Sequence, residues 1–190
     1  MSTLIKFSLA VFVIILSSCS ETGELLDEKI ILYYNNGEKF CEGLHQVIKR
    51  DNGQDKYRKG IWKFYHLNGR FERIIEYDEL GDIKNYKRYD ENGNLLVSEI
   101  DSDKVITYLE FYQNGNIKRE IITTIETEEY EDGEEFETNY ETVKKYFKNG
   151  QLESQYEYIN NEPQGKARHW DVNGLLIIEY EYYDGLIKSK

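Results

Sequence analysis

The sequence predicts an all-β protein, an elongated single antiparallel sheet built from stacked β-hairpin repeats. Three observations support this fold class: turn dipeptides at regular intervals, alternating apolar residues between them, and the composition. Tyr supplies 17 of the 190 residues, whereas Ala, the best helix former, occurs only at Ala10 and Ala167. Because the chain is rich in aromatic residues, we expect it to fold despite its acidity.

Six Asn-Gly dipeptides with similar surroundings recur along the chain. Asn-Gly favours the two positive φ angles of a type I′ turn, which joins two antiparallel strands through two residues. Leu80-Gly81 and Asp132-Gly133 have similar surroundings. The six pairs are Asn36-Gly37, Asn68-Gly69, Asn92-Gly93, Asn114-Gly115, Asn149-Gly150 and Asn173-Gly174. We therefore predict a hairpin at each pair.

The residues around these pairs repeat as well. An aromatic side chain precedes each glycine by three or four residues, and apolar residues alternate after it, as in a strand with one buried face. The aromatic residues are Tyr34, Tyr65, Tyr89, Tyr112, Tyr146 and Trp170. Glycines 69, 93 and 115 are 24 and 22 residues apart, a period typical of repeat proteins. The longer gaps, 37–69 and 115–150, indicate units with about ten inserted residues.

The segment from Gly60 to Gly69, with Trp62 and Tyr65 inside it, resembles the G-x-W-x-x-Y-x-x-N-G unit of MORN-variant repeats. Residues 146–152 and 165–174 fit the same pattern, and the resemblance covers roughly residues 30–187. These repeats occur in bacterial proteins of the YwqK antitoxin family. The resemblance implies a hairpin-repeat fold, and it implies an antitoxin function as one alternative.

The N-terminus has the pattern of a secretory signal, with Lys6 before an apolar run at residues 9–16. Leu16-Ser17-Ser18-Cys19 resembles the bacterial lipobox, which implies a lipid on Cys19. The alternative is an ordinary cleaved signal with an incidental Cys19. We expect a signal peptide at 1–18, a polar tether at 19–28 and the repeat domain at 29–190. No Asp follows Cys19, so we expect an anchor in the bacterial cell envelope at the outer membrane.

No catalytic or metal-binding motif stands out. His45, His66 and His169 have no metal-ligand spacing, and P-loop, G-x-S-x-G and G-x-G-x-x-G motifs are absent. We therefore expect no enzyme and no cofactor. With Cys19 lipidated, Cys41 is the remaining thiol: either reactive, or a small strand residue. The net charge of -12 argues against a nucleic-acid partner.

Residues 126–137 contain eight acids in twelve positions. If Asp132-Gly133 is a two-residue turn, Glu131 faces Glu134 and Glu128 faces Glu137, and such like-charge pairs are destabilising. The segment is either a solvated hairpin tip or a site for a cation or a basic partner. The candidate contacts are Glu128, Glu131, Glu134 and Glu137.

Two functions fit these patterns. The first is a non-enzymatic binding or scaffold lipoprotein that displays its repeats to a protein or glycan. The second is an antitoxin or immunity protein, in which an acidic surface meets a basic toxin. Trp62 and Trp170 are either sugar-stacking residues or the packing residues of the repeat.

Overall fold

The computed structural model describes residues 17–20, 23–50, 53–130 and 133–188. Every regular element within these ranges is a β-strand, and successive strands within each compact part of the chain pair antiparallel, which confirms the all-β hairpin-repeat class. In the same ranges, no helix is long and apolar enough to span a membrane. The chain divides into two compact units, Met1–Asn94 and Leu95–Lys190.

Unit 1 is an antiparallel sheet whose strands follow chain order. The strands are β1 (Ser17–Ser20), β2 (Gly23–Tyr33), β3 (Lys39–Arg50), β4 (Gly53–Tyr65), β5 (Phe71–Tyr77) and β6 (Ile83–Tyr89). β2 begins inside the segment expected to be a tether, because residues 24–28 pair with 45–49 of β3. Each added cross-strand pair extends the β2–β3 ladder, so the paired region starts earlier than residue 29.

Unit 2 is built in the same way. Its strands are β7 (Leu95–Ser102), β8 (Val105–Phe111), β9 (Ile117–Glu129), β10 (Glu135–Tyr146), β11 (Leu152–Ile159), β12 (Glu162–Trp170), β13 (Leu176–Tyr183) and β14 (Leu186–Ile187). The two long gaps between Asn-Gly pairs are lengthened hairpins: β3 with β4 in unit 1, and β9 with β10 in unit 2.

The Asn-Gly turns are not of type I′, so that prediction is wrong. At Asn68-Gly69, the Gly69 N–H donates to His66 O at 2.9 Å and the His66 N–H to Arg70 O at 2.8 Å. Gly69 has a φ of +80° and Asn68 has no positive φ. This is a three-residue loop, a type I turn closed by a glycine bulge. Asn68 Oδ1 accepts the Arg70 N–H at 3.0 Å, which holds the asparagine in the turn.

Two-residue loops with two positive φ angles occur elsewhere. They are Asn160-Asn161, between β11 and β12, and Asp184-Gly185, between β13 and β14. The Asn-Gly pairs thus mark one class of hairpin loop, and Asn160-Asn161 and Asp184-Gly185 supply the other.

The turn asparagines also join neighbouring repeats. Asn68 Nδ2 donates to Glu91 O at 2.8 Å, and Asn149 Nδ2 donates to Val172 O at 3.1 Å. Asn114 makes the same bond to Lys148 O at 2.9 Å. Alternate turns of a meander lie at the same edge of its sheet, so each amide reaches the next Asn-Gly turn. The dipeptide therefore encodes both a turn and a link between repeats.

Each unit buries one patch of side chains on one face. In unit 1 the most buried side chains are Cys41, Trp62, Phe64 and Ile75. In unit 2 they include Val97, Val143, Ser154 and Ala167. These patches fix the position of the side chains around them.

Candidate binding surface

The broadest patch of aromatic side chains in unit 1 lies on the face that carries Trp62. The strand register places Cys41 opposite Phe64, Trp62 opposite Ile75, and Ile75 opposite Tyr86. Residues directly opposite in adjacent strands share a face. We call this surface the aromatic–arginine face; its members are Cys41, His45, Arg58, Trp62, Phe64, Arg73, Ile75, Tyr77, Tyr86 and Arg88.

Trp62 is the centre of this face because a bulge and a glycine make room for it. The pairing of β3 with β4 shifts between Glu42 and Leu44, next to Gly60, whose φ is +62°. A Cβ on Gly43 would come within 2.3 Å of the Trp62 indole. The indole N–H donates to Leu44 O at 2.9 Å. Trp62 is 2% exposed, so it packs the repeat and is unavailable for stacking on a sugar.

Two arginines lie over the aromatic rings. The Arg58 guanidinium is 4.8 Å from the centre of the Trp62 ring, and it donates to Tyr77 Oη at 2.9 Å. The Arg73 guanidinium is 4.5 Å from the centre of the Phe64 ring. Cation–π contacts of this kind hold a guanidinium in place while its edge stays in water.

The arginines of this face outnumber its carboxylates. Arg73 is directly opposite Arg88 across β5 and β6. Glu28 is held by Lys56 at 2.7 Å, and Glu72 lies 3.3 Å from Arg73. Within the described part of the chain, neither Arg58 nor Arg88 has a carboxylate partner. A chain of net charge -12 thus presents an arginine cluster on its aromatic face.

The same desolvated environment shifts the pKa of His45 and that of Cys41. The His45 ring lies 5.0 Å from the Trp62 ring, and desolvation lowers the pKa of His45. Desolvation raises the pKa of the Cys41 thiol, although the charges of Arg58 and Arg73 oppose that shift. Cys41 is 2% exposed, which fits the expected small strand residue and not a reactive thiol.

Unit 2 has a tyrosine-rich face at the corresponding positions. The rings of Tyr156, His169 and Tyr180 follow one another at 5.4 and 6.3 Å. Tyr156 Oη and His169 Nε2 are hydrogen-bonded at 2.8 Å. Burial raises the pKa of Tyr156. At the positions that correspond to Arg58 and Arg73, unit 2 has the uncharged Pro163 and Ile178.

A second arrangement recurs in both units. Tyr65 donates a hydrogen bond to Glu42 at 2.5 Å, and Tyr146 donates one to Glu120 at 3.0 Å. Lys144 also reaches Glu120 at 2.9 Å. Burial, reinforced by the glutamate, raises the pKa of Tyr65 and that of Tyr146 to about 12. These contacts tie neighbouring strands together and therefore have a structural role.

The acidic segment pairs differently from the prediction. Glu128 is opposite Phe136, and Glu137 is opposite Thr127, because the loop has three residues and not two. The like-charge pair falls instead on Glu129 and Glu135. Glu128, Glu134 and Glu137 are exposed, whereas Glu131 lies outside the described residues.

The other candidate residues are not gathered into a site. Cys19 lies in β1, opposite Glu24, and the structure describes only its backbone. His66 Nε2 donates to Tyr89 O at 3.1 Å, so this histidine links two turns. Within the described ranges, no group of three or more His, Cys, Asp or Glu side chains could hold a metal ion.

Comparison with known families gives one match. The MORN repeat variant family matches residues 104–124 and 142–160, which is consistent with the hairpins of unit 2. The chain is similar to these repeats over the two segments. A search of curated proteins finds no match. Arg58, Arg73 and Arg88 were not among the residues that the sequence singled out, because the strand register, and not a local motif, brings them to one face.

Proposed function

We propose that this protein is a non-enzymatic binding module that uses the aromatic–arginine face to hold a protein or glycan partner. The observation that carries the proposal is the arginine pair fixed over aromatic rings, Arg58 over Trp62 and Arg73 over Phe64. Aromatic and arginine side chains dominate the energetic centres of protein interfaces. Similarity to MORN repeat variants supports a binding or scaffold module as well.

Capture of a partner by matched variants tests the proposal. Tyr77→Ala and Tyr86→Ala change half-buried residues of unit 1, and Tyr180→Ala and Tyr182→Ala make the same changes on unit 2. Purified variants are compared for the envelope proteins and glycans they retain. We expect the unit 1 variants to lose a partner that the unit 2 variants keep. Equal retention by all four variants would contradict the proposal.

We further propose that Cys19 carries a lipid that anchors the module to the bacterial envelope, at the outer membrane. The lipobox-like Leu16-Ser17-Ser18-Cys19 supports this. Two or more acyl chains give stable anchoring. Labelled palmitate should mark the wild-type chain and a Cys41→Ala variant, but not a Cys19→Ala variant. Label that persists in Cys19→Ala would disprove the anchor.

An immunity protein related to YwqK-family antitoxins is the second candidate. It is supported by the exposed Glu128, Glu134 and Glu137 near the β9–β10 loop, which could meet a basic toxin. Rescue of growth from a toxin encoded beside this gene, lost when the three glutamates become Gln, would favour it. Rescue that depends on Arg88 would instead point to the aromatic–arginine face.

A further inference from the structure

We propose that Arg58, Arg73 and Arg88 form a recognition site for the carboxylates of an acidic peptide segment. This inference rests on the proposed binding function and specifies the chemistry of the partner. The three arginines lie on the adjacent strands β4, β5 and β6 and share one face. Adjacent strands are about 4.8 Å apart, so the site spans about 10 Å across the strands. The Arg58 and Arg73 guanidinium groups converge on the Phe64 ring, at 5.6 and 4.5 Å from its centre, although Arg58 lies six residues along β4 from Phe64. Such a row of guanidinium groups suits a chain-like ligand.

The aromatic rings hold the Arg58 guanidinium in place before any ligand binds. Arg58 contacts the rings of Trp62, Phe64 and Tyr77 at 4.8, 5.6 and 5.8 Å, and Tyr77 accepts one of its hydrogen bonds. Arginine presents a planar fork that pairs with a carboxylate through two parallel hydrogen bonds. Because the rings already restrict the Arg58 side chain, less conformational entropy is lost when a ligand binds.

Two arginines of this site face each other, and Glu72 lies 3.3 Å from one of them, Arg73. Arg73 and Arg88 are directly opposite, and like charges in that position destabilise a sheet. Unit 2 does not accumulate charge in this way: Lys118, Arg119 and Lys145 line a depression of about 270 Å³ together with Glu110 and Glu153. Lys118 pairs with Glu110 at 3.5 Å. Unit 1 therefore keeps Arg58 and Arg88 without a carboxylate partner among the described residues, whereas unit 2 mixes charges.

The competing explanation is that the arginines only shield the aromatic rings from water. That role requires Arg58 and Arg73, which lie over rings, but it gives no function to Arg88, which is exposed and contacts no ring. Arg88 therefore separates the two explanations. Lys87 is its matched control, because neighbouring strand residues point to opposite faces and both side chains are exposed.

The test uses fluorescein-labelled octaglutamate as the probe, with binding to the purified protein followed by fluorescence polarisation at about 20 mM salt. We expect Arg88→Gln to weaken binding about tenfold, as for loss of one charge-assisted pair, and Arg88→Lys to restore part of it. Lys87→Gln should change binding less than about twofold, because its charge lies on the other face. Raising the salt to about 200 mM should weaken binding by the wild type and Lys87→Gln alike.

Three results would overturn the inference: no binding of octaglutamate by the wild type, equal losses in Arg88→Gln and Lys87→Gln, or tighter binding of sulfated glycan than of octaglutamate. None of them would remove the proposed binding function, which fails only if partner capture is independent of Tyr77 and Tyr86. Circular dichroism of each variant confirms that the sheet is intact. Because Arg88 packs on no ring, its replacement leaves the fold unchanged.

Discussion

The two units solve one packing problem in opposite ways. Gly60-Ile61-Trp62 in unit 1 corresponds to Gly165-Lys166-Ala167 in unit 2, and both glycines have a positive φ beside a shift in strand register. Unit 1 packs the large Trp62 against Gly43, whereas unit 2 has the small Ala167 beside the register shift that contains the large Tyr156. The repeat therefore fixes the backbone and the total volume, but not which strand supplies the large side chain.

The same correspondence explains why the units differ in charge. Arg58 and Arg73 of unit 1 occupy the positions of Pro163 and Ile178 in unit 2. With Trp62 and Phe64 as supporting rings, unit 1 can hold two guanidinium groups in place. Unit 2 has a row of rings on this face, including Tyr180 and Tyr182, which correspond to Ile75 and Tyr77 of unit 1. Recognition of an anion is thus expected from unit 1 alone.

The largest effect is expected at Trp62. Trp62→Ala removes a fully buried indole, and the neighbouring Gly43 has no side chain to fill the space. The change should therefore destabilise unit 1 by about 3–5 kcal/mol. The half-buried Trp170, replaced by Ala in unit 2, should have a smaller effect. Urea unfolding followed by circular dichroism measures both. A larger loss for Trp170→Ala would break the proposed correspondence between the units.

A second substitution, at Gly43, tests how the two units differ in the side-chain volume that they pack at corresponding positions. Gly43→Ala should destabilise the protein by about 1–3 kcal/mol, because the new methyl group would overlap the Trp62 indole. In a Trp62→Ala background the same change should be neutral or stabilising, since Ala is better than Gly in a strand by about 0.5–1 kcal/mol. A double-mutant cycle in urea measures the difference. Equal losses of unfolding free energy in both backgrounds would show that Trp62 does not pack against Gly43.

Alkaline pH should weaken both units in the same way. Burial raises the pKa of Tyr65 and that of Tyr146 from the ordinary value of 10 to about 12. A raised pKa stabilises the fold below the unfolded value, so this contribution is complete below pH 10 and is lost between pH 10 and 12. Urea unfolding at stepped pH should show the decline. Tyr65→Phe with Tyr146→Phe should flatten it, and an unchanged slope would contradict the role of these hydroxyl groups.

The smallest effects are expected where like charges face each other. Arg88→Gln in unit 1 and Glu129→Gln in unit 2 each relieve one such pair, with Arg73 and Glu135 respectively. Each should raise the free energy of unfolding by about 0.2–0.5 kcal/mol at low salt, and less at high salt. Thermal unfolding at two salt concentrations measures this gain. A loss of stability in Arg88→Gln would mean that Arg88 stabilises the sheet through a favourable contact.

The sequence predicted the strands well because turns and alternation are local signals. The Asn-Gly pairs and the apolar residues after them, such as Phe71 and Leu152, marked the hairpins correctly. The turn type was wrong, since Asn-Gly suits both a two-residue loop and a type I turn with a glycine bulge. That one-residue difference moved every pair of the acidic hairpin, so Glu128 lies opposite Phe136 and not Glu137.

The binding face could not be predicted because it depends on long-range register. Arg73 and Arg88 are opposite only because of the loop between β5 and β6, and Arg58 shares their face only because the bulge beside Gly60 preserves the alternation. The packing of the Trp62 indole against Gly43 likewise depends on the register of β3 with β4. The net charge of -12 fitted a basic toxin as the partner in one of the two predicted functions, whereas the aromatic–arginine face has the opposite local charge.

Nuclear magnetic resonance of the arginine side chains tests the central claim most directly, because each Nε–H group gives its own signal. Octaglutamate is added to the ¹⁵N-labelled protein at low salt, and the arginine signals of the two units are compared. If unit 1 carries the recognition surface, the Arg58, Arg73 and Arg88 signals shift together and saturate, while those of Arg119 and Arg168 stay in place. Shifts confined to Arg119 and Arg168, or no shift at any arginine, would contradict it.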